Sequence, residues 1–276
     1  MSTTEEPSYA EKLNPEIWLS IFSKMDLNER IICTQVCTQW RNMALLDVKK
    51  VLFVEKDYEE DEKEFINRKP LLRVNNLQHV AAVAKLFANA ENVAFVGFQE
   101  PKYSADISEN TVLKEMLMKI SNAFNNLKRF KISSCSWNFE VTQLLLNKHR
   151  NIEKLTIQKC YVEEELDFFL CENFHKIHSF VFKAISEFTD GEDRFKKLSK
   201  QKLRRFHYSS YETDAQLVNL LVKTGAETLE ILTLPEIYWV ESLTSLHKFT
   251  KLKDLRLYFH MISENWWQYI VFPNLE

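Results

Sequence analysis

Glycine is the residue type in which this sequence is poorest. Its 276 residues include three glycines, Gly97, Gly191 and Gly225, whereas an average composition of about 7% would supply roughly 19. A P-loop or a GxGxxG dinucleotide fingerprint needs several glycines close together, because the backbone must approach a phosphate closely. The composition therefore excludes these nucleotide-binding sites.

Long apolar runs and a strong net charge are missing as well. No run approaches the roughly 18 residues that a membrane-spanning helix needs. Residues 1–12 are polar and acidic, unlike a signal peptide. A formal net charge of -3 argues against a general nucleic-acid or membrane-surface binder. We therefore expect an intracellular protein, cytoplasmic or nuclear, that binds neither nucleic acid nor membrane.

Cysteines are few and do not form a recognisable pairing pattern. The five are Cys33, Cys37, Cys135, Cys160 and Cys171, an odd number without a CxxC pair. This favours free thiols in a reducing compartment.

Motifs for catalysis or cofactor binding are also weak. Cys171, His175 and His178 carry metal-ligating side chains, but the two histidines are not four residues apart and no fourth ligand is evident. The acidic run 163–165 fits the start of a helix, and Cys37 has no identifiable base beside it. We expect no enzymatic activity, no cofactor and no metal.

An acidic stretch divides the chain. Seven of the ten residues from Glu55 to Glu64 are acidic, which favours a solvated loop. Before it, apolar residues such as Ile32, Val36 and Trp40 recur at helical spacing, whereas short alternating runs follow it. The predicted organisation is a flexible N-terminus at residues 1–12, a helical segment at 13–54, an acidic linker at 55–70 and a second domain at 71–276.

The second domain contains a sequence repeat. An apolar triplet with the spacing L-x-x-L-x-L occurs six times, at intervals of 23 to 26 residues. The copies are Leu127/Phe130/Ile132, Ile152/Leu155/Ile157, Ile177/Phe180/Phe182, Leu203/Phe206/Tyr208, Leu229/Leu232/Leu234 and Leu252/Leu255/Leu257. A weaker earlier copy is Val93/Val96/Phe98.

Apolar residues between the triplets recur at helical spacing. Two such sets are Val141/Leu144/Leu145 and Leu217/Leu220/Leu221, so each unit is predicted to be a strand followed by a returning helix. The unit at Ile177 breaks the pattern, which predicts an irregular stretch over residues 186–193. Because one unit cannot bury its own apolar faces, the units must stack. The predicted fold class is α/β: a small all-α segment followed by a curved solenoid with a parallel inner sheet and outer helices.

Two of the copies extend to L-x-x-L-x-L-x-x-C, ending at Cys135 and Cys160. This pattern resembles leucine-rich repeats of the cysteine-containing subtype. In that family the residue at the cysteine position forms hydrogen bonds to the backbone between successive turns. We expect both thiols to have a packing role rather than a redox role.

The N-terminal segment from Leu13 to Ala44 resembles an F-box. It contains Pro15-Glu16-Ile17 near its start and the ending Val36-Cys37-x-x-Trp40. The resemblance implies three short helices that dock on the Skp-type adaptor of cullin-RING ubiquitin ligases. The residues expected to bind the adaptor are Leu13, Pro15, Ile17, Ile21, Phe22, Val36, Cys37 and Trp40. The alternative is a helical cap that only covers the end of the repeat stack.

Together the two resemblances imply the substrate-recognition subunit of an SCF-type ligase, with a Skp-type adaptor and a cullin as partners. The alternative is a non-catalytic scaffold that acts outside a ubiquitin ligase. The variable positions of the repeats are basic, which favours an acidic or phosphorylated protein substrate. The candidate substrate-binding residues are Arg129, Lys131, Lys154, Lys159, Lys183, Arg205, His207 and Arg256.

The last residues repeat the start of a unit, since Asn274-Leu275 matches Asn126-Leu127. Repeat arrays normally close with an atypical capping unit. We therefore expect further repeats to be missing at the C-terminus. An apolar edge at Leu255, Leu257, Trp267 and Ile270 would then be partly uncovered.

Overall fold

The computed structural model describes residues 13–55, 71–74, 77–98, 118–137, 139–162, 176–184, 202–209, 215–237 and 245–259. Residues 1–12, most of the acidic stretch and residues 186–193, which were predicted to be irregular, lie outside these ranges.

Three short helices form the N-terminal segment: α1 (Pro15–Lys24), α2 (Leu27–Cys33) and α3 (Thr38–Met43). Helix α1 starts at Pro15, and the side chain of its N-cap, Asn14, accepts a 3.0 Å hydrogen bond from the Glu16 amide. Helix α2 starts with a capping box. In it, Asp26 accepts from the Glu29 amide at 2.9 Å and Glu29 accepts from the Asp26 amide at 2.8 Å. The helical prediction for residues 13–54 is confirmed up to Met43, whereas Lys50–Glu55 forms a strand instead.

A single parallel sheet follows the three helices. Its strands are β1 (Lys50–Glu55), β2 (Leu71–Val74), β3 (Asn92–Val96), β4 (Arg129–Ser133), β5 (Ser136–Trp137), β6 (Lys154–Val162), β7 (Ser179–Ala184), β8 (Arg205–Ser209), β9 (Ile231–Ile237) and β10 (Asp254–Phe259). The strand order is β10-β9-β8-β7-β6-β4-β3-β1-β2, and β5 pairs separately with β6. Parallel strands added one by one along the chain are the architecture of a solenoid, which confirms the predicted fold class.

The strand register confirms the six repeat copies. Phe130 lies beside Leu155, and Phe206 lies beside Leu232, so equivalent apolar positions stack from strand to strand. These side chains are buried, and those on the opposite pleat point to the other face of the sheet. We call that other face the inner face.

The predicted early copy, Val93/Val96/Phe98, is wrong by three residues. Val93 pairs with Phe130 and Phe95 pairs with Ile132, so the triplet in register is Ala90/Val93/Phe95. The sequence obscured it because its first member is a small alanine. A further copy, Val48/Val51/Phe53, precedes it, since Val51 pairs with Val93 and Phe53 pairs with Phe95.

The N-terminal end of the sheet does not follow chain order. Strand β1 lies between β2 and β3, so β2 forms the outer edge. The sheet therefore begins at Lys50, inside the stretch predicted as residues 13–54, and the acidic stretch connects two strands of the same sheet. The junction between helices and sheet is the short segment 44–49.

Helices and turns return the chain between strands. Helix α4 (Leu77–Ala84) connects β2 to β3, α5 (Phe139–Lys148) connects β5 to β6, and α6 (Ala215–Gly225) connects β8 to β9. Residues 118–123 are also helical, and 3-10 turns span Lys85–Phe87 and Leu246–Lys248.

The predicted helical stripes are confirmed in part. Leu145, Leu217 and Leu221 are buried as expected. Leu144 is 37% exposed, and its neighbour Leu146 is buried instead. Helix α5 is therefore rotated relative to the predicted stripe.

One hydrophobic core runs from the N-terminal helices to the last repeat. It includes Trp18 and Phe22 at one end and Leu252 at the other. Aromatic rings contact each other across strands, with centroids 5.4 Å apart for Phe53 and Phe95 and 5.6 Å apart for Phe95 and Phe130. Burying each such ring contributes about 1.5 to 3 kcal/mol. The helices and the repeats are therefore one continuously packed body.

A left-handed residue ends the regular part of three successive units. Gly97, Ser134 and Lys159 have φ values of 88°, 53° and 52° at equivalent repeat positions. The Gly97 amide donates to the Ser133 carbonyl, and the Ser134 amide donates to the Gln158 carbonyl, both at 3.0 Å. These hydrogen bonds join successive repeat units at the point where their strands end.

Candidate functional site

The N-terminal helices expose large apolar side chains. Ile17 and Ile21 are 47% and 37% exposed, and their four-residue spacing places them along one side of α1. Leu13, just before this helix, is 37% exposed. Ile32 and Val36, at the end of α2 and in the turn after it, are 63% and 60% exposed. We call these five residues the apolar helix surface. Exposed apolar residues concentrated in so short a segment indicate a protein interaction site.

Six of the eight predicted adaptor-binding residues are exposed. These are Leu13, Pro15, Ile17, Ile21, Val36 and Cys37. Ile32 was not among the predicted contacts, because its spacing to Val36 and Trp40 indicated only a helix. Its exposure becomes visible only when the three helices are packed.

Phe22 and Trp40 differ from the other predicted contacts. The Phe22 side chain is fully buried, with ring centroids 5.7 Å from both Trp18 and Trp40. Trp40 is partly buried and lies 4.8 Å from Trp18. Phe22 is therefore a core residue rather than an interface anchor, because the aromatic cluster holds the three helices together.

A buried cation fixes these helices to the sheet. Arg30 on α2 is 8% exposed. Its Nη1 donates to Asp47 Oδ1 at 2.7 Å and its Nε donates to the Met25 carbonyl at 3.3 Å. Because Asp47 lies in the segment that leads into β1, this ion pair holds the helices, and with them the apolar helix surface, in a fixed position relative to the sheet.

The repeat cysteines are buried thiols. Cys135 Sγ donates to the Ser133 carbonyl at 3.2 Å, and Cys160 Sγ donates to the Gln158 carbonyl at 3.3 Å. Burial raises the pKa of both thiols, that of Cys160 to about 11. Such thiols remain protonated near neutral pH and are poor nucleophiles and metal ligands.

Candidate metal ligands do not converge in the described part of the chain. No group of three His, Cys, Asp or Glu side chains suited to a metal occurs there. His178 is exposed, whereas Cys171 and His175 lie outside the described residues.

The inner face of the sheet carries most of the predicted substrate-binding residues. The strand register aligns Arg129, Lys154, Ser179 and Arg205 in one row across β4, β6, β7 and β8. A second row contains Lys131, Thr156, Val181, His207, Thr233 and Arg256. Lys183 lies two residues beyond Val181, and Lys159 occupies the left-handed position described above.

His207 lies among several cations. Burial, followed by the charges of Lys183, Arg205 and Arg256, lowers the pKa of His207 to about 4. Arg256 is compensated by Asp254 on its own strand, through hydrogen bonds of 3.2 Å and 2.9 Å. Lys183 and Arg205 form no ion pair with a carboxylate among the described residues.

The inner face changes character along the sheet. On β1 and β3 it is apolar and buried, with Leu52, Val54 and Val96 packed together against Ala94. From β4 onward it carries the basic residues. The predicted substrate-binding residues of the inner face therefore lie on the central and C-terminal strands.

Comparison with known proteins supports the same division of the chain. The F-box domain family matches residues 11–51. No curated protein matches the sequence. The assignment of the repeats therefore depends on the strand register described above.

Several solved structures are distantly similar. An internalin (inlF) from Listeria monocytogenes has 13% identity and a TM-score of 0.42, with 99% of this chain and 79% of the internalin covered. The TLR13-ssRNA13 complex has 12% identity and a TM-score of 0.46, with 80% and 38% covered. An LRR protein of Leptospira interrogans has 12% identity and a TM-score of 0.41, with 95% and 63% covered.

The apolar helix surface and the parallel solenoid define a protein-interaction adaptor. More specifically, residues 11–51 match the F-box domain family, and the strands that follow form a parallel solenoid with the L-x-x-L-x-L repeat. Within the described residues, no helix has both the length and the apolar character needed to cross a membrane.

Proposed function

We propose that this protein is the substrate-recognition subunit of an SCF-type cullin-RING ubiquitin ligase. In this proposal the apolar helix surface binds a Skp-type adaptor and the inner face of the repeats binds the target protein. The observation that carries the proposal is the exposure of six large apolar side chains, the five of the apolar helix surface and Leu46, within the segment that matches the F-box domain.

The energetics of the helix surface are compatible with a partner. Fully burying a side chain such as Ile32 contributes about 1.5 to 3 kcal/mol. A few such anchors carry most of the binding free energy in protein interfaces. The buried aromatic cluster around Phe22 keeps the anchors in place, which limits the entropy lost on binding.

The shared core supports a positioning mechanism. Because helices and repeats pack as one body, a target bound to the repeats is held at a fixed position relative to the adaptor. Proximity raises the effective concentration of a target lysine near the ubiquitin-charged enzyme. The chain itself performs no chemistry in this proposal.

The test is co-purification of the full chain with a Skp-type adaptor and a cullin. Ile17→Asp and Ile32→Asp should each abolish co-purification, because a carboxylate would be buried without a partner. Met118→Asp is the matched control, since Met118 is 43% exposed but lies outside the F-box match. Unchanged co-purification of both test variants would contradict the proposal.

A scaffold that acts outside a ubiquitin ligase is the second candidate. The observation in its favour is that α2 packs beside β2, the edge strand, so the helices also cover the end of the sheet. Absence of adaptor binding by the folded wild-type chain would favour this candidate.

A further inference from the structure

Two polar atoms on the inner face are buried without partners. The Ser179 hydroxyl and the Arg205 Nε are both shielded from solvent, and neither has a hydrogen-bond partner among the described residues. Ser179 and Arg205 are register partners on β7 and β8. Their side chains therefore start from backbone positions roughly 4.8 Å apart on the same face. Two unsatisfied groups therefore occupy adjacent positions on the inner face.

Such groups are unfavourable unless a ligand satisfies them. A buried donor that lacks an acceptor loses its hydration without compensation. Arginine offers only donors, and the serine hydroxyl can donate as well. The missing partner of this pair is therefore an acceptor.

The surrounding charges favour an anionic acceptor. Lys183 lies on β7, on the same face as Ser179, and His207 lies on β8, on the same face as Arg205. Lys183 and Arg205 both act electrostatically on His207. Asp254 compensates the charge of Arg256, but no described carboxylate pairs with Lys183 or Arg205. The surface around Ser179 and Arg205 therefore keeps a positive charge.

We propose that Ser179 and Arg205 form an oxyanion-binding subsite, with Lys183 adding positive charge on the same face, that receives a phosphoryl or carboxylate group from a segment of the target protein. This inference rests on the proposed function, in which the inner face binds the target. It goes further by naming the chemistry and the position of the contact. Arginine suits both groups because its guanidinium donates two parallel hydrogen bonds to an oxyanion.

Other basic residues of the inner face do not share these properties. Arg129 occupies the same repeat position on β4, but it is exposed. Its polar atoms are not among the shielded and unpartnered ones. Arg129 therefore provides a matched control for Arg205.

The test measures binding of fluorescent peptide pools to the full-length chain by anisotropy. The three pools are degenerate except for a central phosphoserine, aspartate or serine. We expect the phosphoserine pool, the aspartate pool or both to bind more tightly than the serine pool. Which of them binds identifies the source of the oxyanion. Arg205→Gln should weaken that binding about tenfold or more, because a charge-assisted hydrogen bond is lost, whereas Arg129→Gln should weaken it by a clearly smaller factor, because Arg129 is exposed.

Two further variants keep the inference testable if Arg205→Gln does not fold. Ser179→Ala should weaken binding by a smaller factor than Arg205→Gln. If Arg205→Gln does not fold, Arg205→Lys keeps the charge and removes the bidentate fork, and it should still weaken binding several-fold.

Four outcomes would overturn the inference. They are equal binding of the three pools, equal losses in the two glutamine variants, no binding of any pool, and tighter binding of oligo-dT than of any peptide pool. Adaptor co-purification is measured on the same samples. If the wild-type chain does not co-purify with the adaptor, the proposed function is refuted, whereas the result of the peptide measurement still stands.

Discussion

Arg30 and Asp47 connect the second helix to the segment that enters the sheet. Their 2.7 Å ion pair joins a buried guanidinium to a carboxylate that is 44% exposed. We expect Arg30→Ala to lower the free energy of unfolding by about 1 to 3 kcal/mol, because the Met25 carbonyl and Asp47 both lose a partner. The expected loss is kept this small because solvent screens the half-exposed Asp47 carboxylate.

Urea denaturation of the full chain would measure this change. Arg256→Ala is the control, since its pair with Asp254 lies at the surface. That substitution should leave the midpoint where it is. Equal effects of the two substitutions would show that the Arg30 pair does not fix the helices.

Gly97 should resist substitution by alanine. Its φ of 88° lies in the left-handed region, where a Cβ adds about 1 to 2 kcal/mol of strain. At Gly225, at the end of α6, an added Cβ would make an ordinary van der Waals contact, 3.8 Å from Leu229 Cβ. Thermal unfolding should show a lower midpoint for Gly97→Ala and no decrease for Gly225→Ala. A decrease of the same size in both variants would argue against backbone strain at Gly97.

Two histidines should make the fold less stable in mild acid. His149 Nε2 lies 3.0 Å from both the hydroxyl and the carbonyl oxygen of Ser121. Burial is the main cause that lowers the pKa of His149 and of His207, the latter to about 4. Unfolded histidines titrate near 6.5, so below that pH the unfolded chain binds more protons, and stability falls as the pH drops from about 6.5 to 4.

Denaturation midpoints at pH 7.5, 5.5 and 4.5 would measure this loss. The charged groups that act on His207 are Lys183, Arg205 and Arg256. The slope of stability with pH should decrease in His149→Gln and His207→Gln relative to wild type. An unaltered slope in both variants would assign the acid sensitivity to other groups.

Trp40→Ala should act through stability rather than through a lost contact. Trp40 packs on Trp18 and Phe22, so we expect a loss of about 2 to 4 kcal/mol, below the value for a fully buried tryptophan. Calorimetry should show a lower transition temperature for Trp40→Ala. Loss of adaptor binding should accompany this loss of stability. Ile32→Asp should lose adaptor binding at an unchanged transition temperature. A stable Trp40→Ala that no longer binds would instead make Trp40 a direct contact.

The spacing of residues along the chain determined the local structure of this protein. The L-x-x-L-x-L triplets specify one apolar face of a strand, and Asp26 with Glu29 specifies the start of a helix. Both signals operate over a few residues, so they can be read without knowing the partners. The parallel stacking of units followed as well, because a single unit cannot bury its own apolar face.

Tertiary packing decided which apolar residues became core and which became surface. Phe22 and Ile32 both lie in helices of the N-terminal segment, yet one is fully buried and the other is 63% exposed. Their helices do not differ in local pattern. The difference depends on how the three helices pack, which is a long-range property.

Tertiary structure also decided the order of the first strands and the composition of the inner face. Strand β2 lies outside β1, although it follows β1 in the chain. Ser179 and Arg205 become neighbours only through the register of β7 and β8. The sequence revealed the basic residues, but not the serine beside them or the burial of their polar atoms. Burial depends on all neighbouring strands at once, so no local spacing encodes it.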